Sequence, residues 1–351
     1  MDWRASGISN SFEFELLDRG LAHAGWLDGV TGGSIVQSHR GDFRVTASLD
    51  LDGDIPPIGG YVRIWHTARL GGESVRTCLA TLVPELPGME YRLGRWTGSL
   101  DLYSGMKRLE TSVWEKDYGI AKNTAIAAKW KSFVENGGSV AYVAPGISTT
   151  KKTSSSWVLG FGESVLSTCH ELASAVSGYI EVDELGRVCL VPYVMPSKRS
   201  ASWRLESGEE SIMLIGVDRE PPELCNRVMA RYESNGKNYF SATYLPSSHP
   251  WSWGQTGRKE SYVMEPTDVP SPVQSNLDRI VANELASRSS TGNVYEVRAL
   301  FDPSVRPGTV GTVAYADSPR DAGLSFRAFC SQREIELDAA MTTTLTLEEI
   351  R

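Results

Sequence analysis

Apolar residues recur at every second position in one run after another of this chain, a spacing that suits half-buried strands rather than helices. Phe12, Phe14 and Leu16 alternate with Glu13 and Glu15. Phe43, Val45, Ala47, Leu49 and Leu51 do the same over a longer stretch that ends in the turn residues Asp52-Gly53-Asp54. Residues 61–66 and 75–83 read as two further strands on either side of Gly71-Gly72-Glu73, and 92–103 as another, carrying Trp96, Leu100 and Leu102. The 33 glycines and 17 prolines are spread evenly, so the chain turns often. Short strands between such turns predict a barrel or sandwich over residues 1 to about 110.

The period changes after Trp114. Residues 121–136 have a helical composition and end at Gly137-Gly138, with Ile126, Trp130, Phe133 and Val134 on one face. Residues 145–156 (PGISTTKKTSSS) read as a long exposed polar loop, either slack or a partner contact. A second helix over 163–176 carries Val165, Leu166, Cys169, Leu172 and Val176 on its buried stripe. A hairpin follows, 179–182 and 187–193 around a turn at 183–186, which makes 113–200 an α+β region. Strands return from Trp203. Runs 227–232 and 237–244 flank Ser234-Asn235-Gly236, a strong hairpin signal. Residues 245–274 lack regular pattern. Residues 275–288 predict a helix with Ser275 as N-cap and Leu277, Ile280, Val281 and Leu285 buried. Residues 294–300, 308–315, 324–337 and 341–347 read as strands, and no repeat of fixed period occurs.

At 351 residues, two to three domains are expected, and 41% hydrophobic against 22% charged residues excludes wholesale disorder. A net charge of −8 and a pI near 5.3, without a basic block, argue against gripping nucleic acid. No apolar run approaches the roughly 18 residues of a transmembrane helix. Met1-Asp2-Trp3-Arg4 has no apolar stretch, so no signal peptide is expected. The five scattered cysteines form no CxxC and read as free core thiols of a protein made in a reducing cytosol.

Motifs of chemistry are incomplete. His170-Glu171 begins like the zinc-protease motif HExxH, but position 174 is Ser. Residues 146–153 mimic a phosphate-binding loop, but Lys151 stands where the second Gly must open the backbone. Asp50, Asp52 and Asp54 lack the Glu of a calcium loop, since the twelfth position is Tyr61. Gly160-Phe161-Gly162 lacks the third glycine of a dinucleotide site. His66 reads as packed or solvent-facing rather than catalytic, and Glu209-Glu210 as surface charge or a carboxylate pair. No catalytic residue, cofactor or metal is therefore expected. Trp251 and Trp253 are the site candidates: they either anchor the irregular 245–274 segment or stack on a sugar or a partner.

The order of elements says more than any motif. Residues 157–193 are a helix followed by a hairpin whose turn is D-x-x-G (Asp183, Gly186). Val217-Asp218 is followed by Cys225-Asn226-Arg227-Val228, an Asn ahead of a strand. A helix at 275–287 precedes a late strand, the DP…G turn runs from Asp302 to Gly308, and 333–347 (REIELDAAMTTTLTL) close the chain. In this collinear order the sequence resembles the tail hub proteins of tailed bacteriophages, including baseplate hubs and the N-terminal part of tail-associated lysins. Thr309 departs from the pattern, where Asp is frequent.

The resemblance implies a β-rich α+β fold of two small β-barrels joined by α+β inserts. The first barrel would be 1–112 and the α+β insert 113–200. The second barrel would combine 201–244 with 293–351, and 245–292 would be a loop-plus-helix insert associated with the α+β part. It implies a structural protein without enzymatic activity: a homotrimeric hub that adapts a sixfold tail to a threefold tip. The expected partners are the distal tail protein ring, the tape measure protein and tip, spike or fibre proteins. DNA would be passing cargo only, and the host membrane or wall an indirect contact. The expected location is the virion tail tip, after synthesis in the host bacterial cytoplasm. Relatives with lysin activity carry it in a further C-terminal domain, so no peptidoglycan cleavage is expected. A carbohydrate- or receptor-binding tail protein is the alternative, and a cell-wall hydrolase a more distant one.

Overall fold

A computed structural model describes residues 3, 7–53, 58–92, 94–207, 214–220, 225–234, 236–266, 269, 272–289, 291–315 and 324–350. The first part contributes β1 (Ser9–Leu17), β2 (His23–Trp26), β3 (Val30–Ser38), β4 (Val45–Asp52), β5 (Tyr61–Leu70), β6 (Glu73–Pro84), β7 (Gly88–Arg92) and β8 (Arg95–Tyr103). They pair antiparallel in the order β3-β4-β8-β6-β5-β1-β2, with β7 on the side of β8. The alternation of β4 puts Val45, Ala47, Leu49 and Leu51 into the core, against Phe14, Val62, Ile64, Leu82, Leu100 and Leu102. The β7–β8 hairpin, expected as one strand from residue 92, begins four residues earlier.

The middle part contains α1 (Met106–Thr111), β9 (Tyr118–Ile120), α2 (Ile126–Asn136), β10 (Val140–Val143), β11 (Trp157–Leu159), α3 (Val165–Ala175), β12 (Gly178–Val182) and β13 (Arg187–Pro192). The helices share one core with the small sheet β10-β13-β12, built on Trp130, Phe133, Leu166, Leu172, Ile180 and Leu190. Ser164 caps α3 by accepting from the Ser167 amide at 3.1 Å. Loop 145–156 is pinned at two points rather than slack. Ile147 is buried in this core, and Thr153 donates its hydroxyl to Ala121 O at 2.9 Å. Its backbone amide reaches Thr124 O at 3.0 Å, so the turn 121–125 is loop and α2 starts only at Ile126.

The last part runs β14 (Ala201–Glu206), β15 (Leu214–Glu220), β16 (Arg227–Ser234), β17 (Lys237–Tyr244), α4 (Trp253–Thr256), β18 (Ser261–Met264), α5 (Val273–Ser289), β19 (Thr291–Leu300), β20 (Val310–Tyr315), β21 (Leu324–Glu336) and β22 (Thr342–Ile350). The order β15-β19-β22-β21 carries β20 and β14 as a branch, around a core of Trp203, Leu205, Tyr295, Val297, Val313 and Leu347. β21 is long enough to serve two neighbours on one edge. Its first half pairs with β20, and Gln332–Glu336 pair with Ser38–Ser34 of β3. Through that pairing, the strands of the first part and those of the last part other than β16, β17 and β18 form one 14-stranded sheet among the described residues. The fold is thus β-rich with few helices and several sheets. The strand path does not return on itself, so no closed barrel occurs among the described residues.

The expectation that 227–244 joins the second barrel is corrected. The β16–β17 hairpin forms as predicted by its register, Ser234 opposite Lys237, with Asn235 outside the described residues. It pairs with β18 instead, in a separate sheet β17-β16-β18. Val228 and Ala230 on one face of β16 meet Leu277, Val281 and Leu285 of α5, and that apolar match decides which sheet the hairpin joins. α5 begins at Val273, so Ser275 lies within its first turn and not at its cap. Among the described residues, no helix is long and apolar enough to cross a membrane.

Candidate functional site

His66, His170 and the other reactive candidates stand apart. His66 lies in the first core between Trp3, Phe12 and Phe301, with ring centroids 6.0, 5.5 and 5.5 Å away. Its Nε2 is 2.9 Å from Asn10 Oδ1, and burial lowers its pKa to about 4, so the ring is neutral. On α3, burial and Arg44 lower His170 while burial and Glu163 raise Glu171. Among the described residues, no group of three His, Cys, Asp or Glu side chains is placed to hold a metal. Asp52 is engaged by Arg95, while Asp54 and the Glu209-Glu210 pair lie outside the described residues. The five cysteines are free thiols; burial pushes Cys169, Cys189 and Cys330 up to about 12, which starves each of nucleophilic thiolate.

The densest polar geometry lies where the three parts of the chain meet. A cavity of about 490 Å³ opens there, between the ends of β3 and β6, the β12–β13 hairpin and residues 306–309. The hairpin turn docks as a knob. Glu184 O accepts from Thr81 Oγ1 at 2.8 Å and from Cys78 Sγ at 3.1 Å on β6, while its carboxylate pairs with Arg306. Asp183 shapes the turn by accepting from the Arg187 amide at 2.8 Å. Gly186 closes it at φ +85°, with a Cβ there falling 3.0 Å from Thr81 Cβ, so glycine is required twice over. Gly308, also at φ +85°, leaves room for His39 and Glu181, where a Cβ would meet them at 3.1 and 3.2 Å.

Every guanidinium around the cavity is occupied by the protein itself. Arg44 donates to Ile180 O at 2.9 Å, Arg199 to Val194 O at 2.8 Å and to Gly308 O, and Arg187 to Asp183 at 2.6 Å. His39 packs edge-on against Tyr179 and Phe329; burial, then Arg199, Arg44 and Arg40, lowers its pKa to about 3. Beneath them lies Arg333, 3% exposed. Its acceptors are Gln37 Oε1 at 3.0 and 2.6 Å, Val305 O at 2.6 Å and Asp302 O at 3.4 Å, and its guanidinium carbon sits 5.3 Å over Phe301. Gln37 in turn donates to Leu79 O at 3.1 Å. This arrangement is a joint, because its polar groups are spent on holding the parts together. The D-x-x-G and DP…G turns picked out in the sequence both belong to it. Gln37, His39 and Arg333 were missed. Their signal was parity: Arg333 shares the inward face with Ile335, as Gln37 does with Ile35.

The structure separates Trp251 from Trp253. Asn226 is buried and clips the segment, donating Nδ2 to Trp251 O at 3.2 Å and Arg258 O at 2.8 Å and accepting from the Glu260 amide at 3.0 Å. Trp251 is half-buried beside that clip. Trp253 opens α4, is 52% exposed, and has the Lys259 ammonium 4.0 Å over its ring.

The sequence matches no protein family and no curated protein. The fold does have counterparts of known structure. A tail protein from Neisseria meningitidis superposes with a TM-score of 0.68 at 12% identity, over 97% of this chain and 96% of that one. A prophage tail protein from Shewanella oneidensis gives 0.66 at 14% identity, over 97% and 98%. A prophage tail protein from Listeria monocytogenes gives 0.55 at 10% identity, over 96% and 94%. The chain therefore has the fold of phage tail proteins from end to end, as the resemblance implied.

Proposed function

We propose that this chain is a structural component of a phage-type tail tip or baseplate, acting as a trimeric hub without catalysis. The observation that carries the reading is the superposition on the meningococcal tail protein over almost the whole of both chains. The two cores strung on one sheet support two barrel-like units per chain, 1–112 and 201–224 with 293–351. The α+β part 113–200 and the unit 225–292 are then the inserts. Three copies present six such units, which matches a sixfold tail on one side and a threefold tip on the other. The distal tail ring, the tape measure protein and tip proteins are the neighbours this arrangement serves. The acidic balance suits a channel that lets DNA pass without gripping it.

Light scattering over a concentration series tests the reading. A mass near three times 38.5 kDa, together with the chain's presence in purified particles by mass spectrometry, is the expected result. A monomer at every concentration, with no trace in particles, overturns it. A second reading, contact with a cell-wall glycan, rests on the exposure of Trp253. A glycan array showing no signal, or the same signal after Trp253→Ala, removes it.

A further inference from the structure

The sheet β17-β16-β18 has two unlike faces. One face packs on α5 through Val228 and Ala230. The other carries Arg227, Met229, Arg231 and Glu233 of β16, the last 3.9 Å from Arg231, with Tyr244 opposite Arg227, Phe240 opposite Arg231 and Val263 opposite Met229. Phe240 is 66% exposed, Val263 61% and Tyr244 50%. Cross-strand neighbours lie within side-chain contact of one another, so these groups form one patch. An aromatic side chain offers about 150–250 Å², so the three leave on the order of 300 Å² of apolar surface in water. That is the size of the largest patch on an ordinary monomer, a patch that is often functional. β17 and β18 are also outer strands, with no further strand beside either among the described residues.

Charge identifies the occupant. Three charged side chains of β16 lie on this face, Arg227, Arg231 and Glu233, a net of one positive charge in a chain with 35 basic against 43 acidic overall. Arg227 and Arg231 sit directly among the exposed apolar groups. The patch is thus a cationic, aromatic face on an otherwise acidic molecule, complementary to the rest of a second copy. We propose that this face docks on an acidic surface of the next copy of the same chain. The contact is heterologous, as closing a threefold ring requires. This rests on the trimeric reading above and names its contact surface.

The test compares the full-length wild type with Phe240→Ser/Val263→Ser and with Arg227→Glu/Arg231→Glu, by sedimentation at several concentrations. Both pairs of positions are on the solvent side, and circular dichroism and melting temperature check the fold. The expected result is a wild-type trimer and at least a tenfold weaker association in each variant, with wild-type association also weakening as salt rises. Should a variant unfold, amide exchange of the wild type decides: β17 and β18 should exchange more slowly at trimer concentrations than in dilute solution. A trimer unaffected by both variants, or unchanged exchange, overturns this inference and leaves the hub reading intact. A wild type that stays monomeric overturns it together with the trimer. Binding of a different tail protein that is lost in the variants also overturns it, assigning the face to that partner.

Discussion

Replacing Gln37 by Leu should destabilise the protein far more than its conservative volume suggests. The amide oxygen of Gln37 accepts two N–H groups of Arg333, at 3.0 and 2.6 Å, in a site only 3% open to water at the arginine. Burial lowers the Arg333 pKa to about 10, which still leaves it charged at neutral pH. Without Gln37 the guanidinium keeps Val305 O and the longer contact to Asp302 O, both from one nitrogen, but it loses two charge-assisted bonds from the other two. Such bonds contribute roughly 1.5–3 kcal/mol each, so the expected loss for two is about 3–6 kcal/mol. That is a large part of a typical total of roughly 5–15 kcal/mol. Arg333→Met alone removes the charge but strands the Gln37 oxygen, at about 1–3 kcal/mol. The double variant Gln37→Leu/Arg333→Met should cost less than the sum of the two, with a coupling of about 2 kcal/mol or more. Urea unfolding followed by tryptophan fluorescence measures all four proteins. A Gln37→Leu cost below about 1 kcal/mol, or strict additivity, would refute the claim that this bond pins the two halves of the sheet.

Three further outcomes follow from the geometry. His66 stays neutral in the fold down to about pH 4 while the unfolded chain takes up a proton near 6.5. The His66 contribution is therefore whole above pH 6.5 and falls away by up to about 3 kcal/mol as pH drops to 4, beside a further loss from His39 in the same window. His66→Phe should make the decline shallower by that amount while the His39 share remains, and parallel profiles for variant and wild type would sink the assignment. Gly186→Ala forces a left-handed backbone on a side chain and presses it against Thr81, so a loss of about 1–3 kcal/mol is expected, read as a lower melting temperature. No change would mean that the hairpin turn does not hold the joint. Asn226→Ala removes three bonds that fasten the Trp251 segment, and amide exchange over 245–260 should speed up at least tenfold; unchanged exchange would show that the clip is dispensable.

Much of the secondary structure was legible because its causes are local. The alternation of β4 and the Asn-Gly hairpin are properties of a few neighbouring residues, and so is the stripe of α3. The collinear order of turns and helices carried the tail-protein fold, because each turn keeps its own steric demand: Gly186 and Gly308 are glycines on account of what lies within 3.0–3.2 Å of them. Parity along β21 carried a signal for Arg333 as a charge on an inward face, which was missed, and it held nothing about what would receive it. What local pattern does not contain is which edge meets which. A hairpin's turn sets its register and leaves its sheet open, so only the apolar stripe of α5 drew β16 and β17 away from the 14-stranded sheet. Nothing near β21 in sequence shows that its second half pairs with β3, some 300 residues earlier. That pairing joins the two cores into one sheet, and Gln37 and Arg333 meet across it. Trp251 and Trp253 make the same point in miniature: two residues apart and alike in sequence, they are told apart by Asn226, whose clip leaves one half-buried while the other faces water.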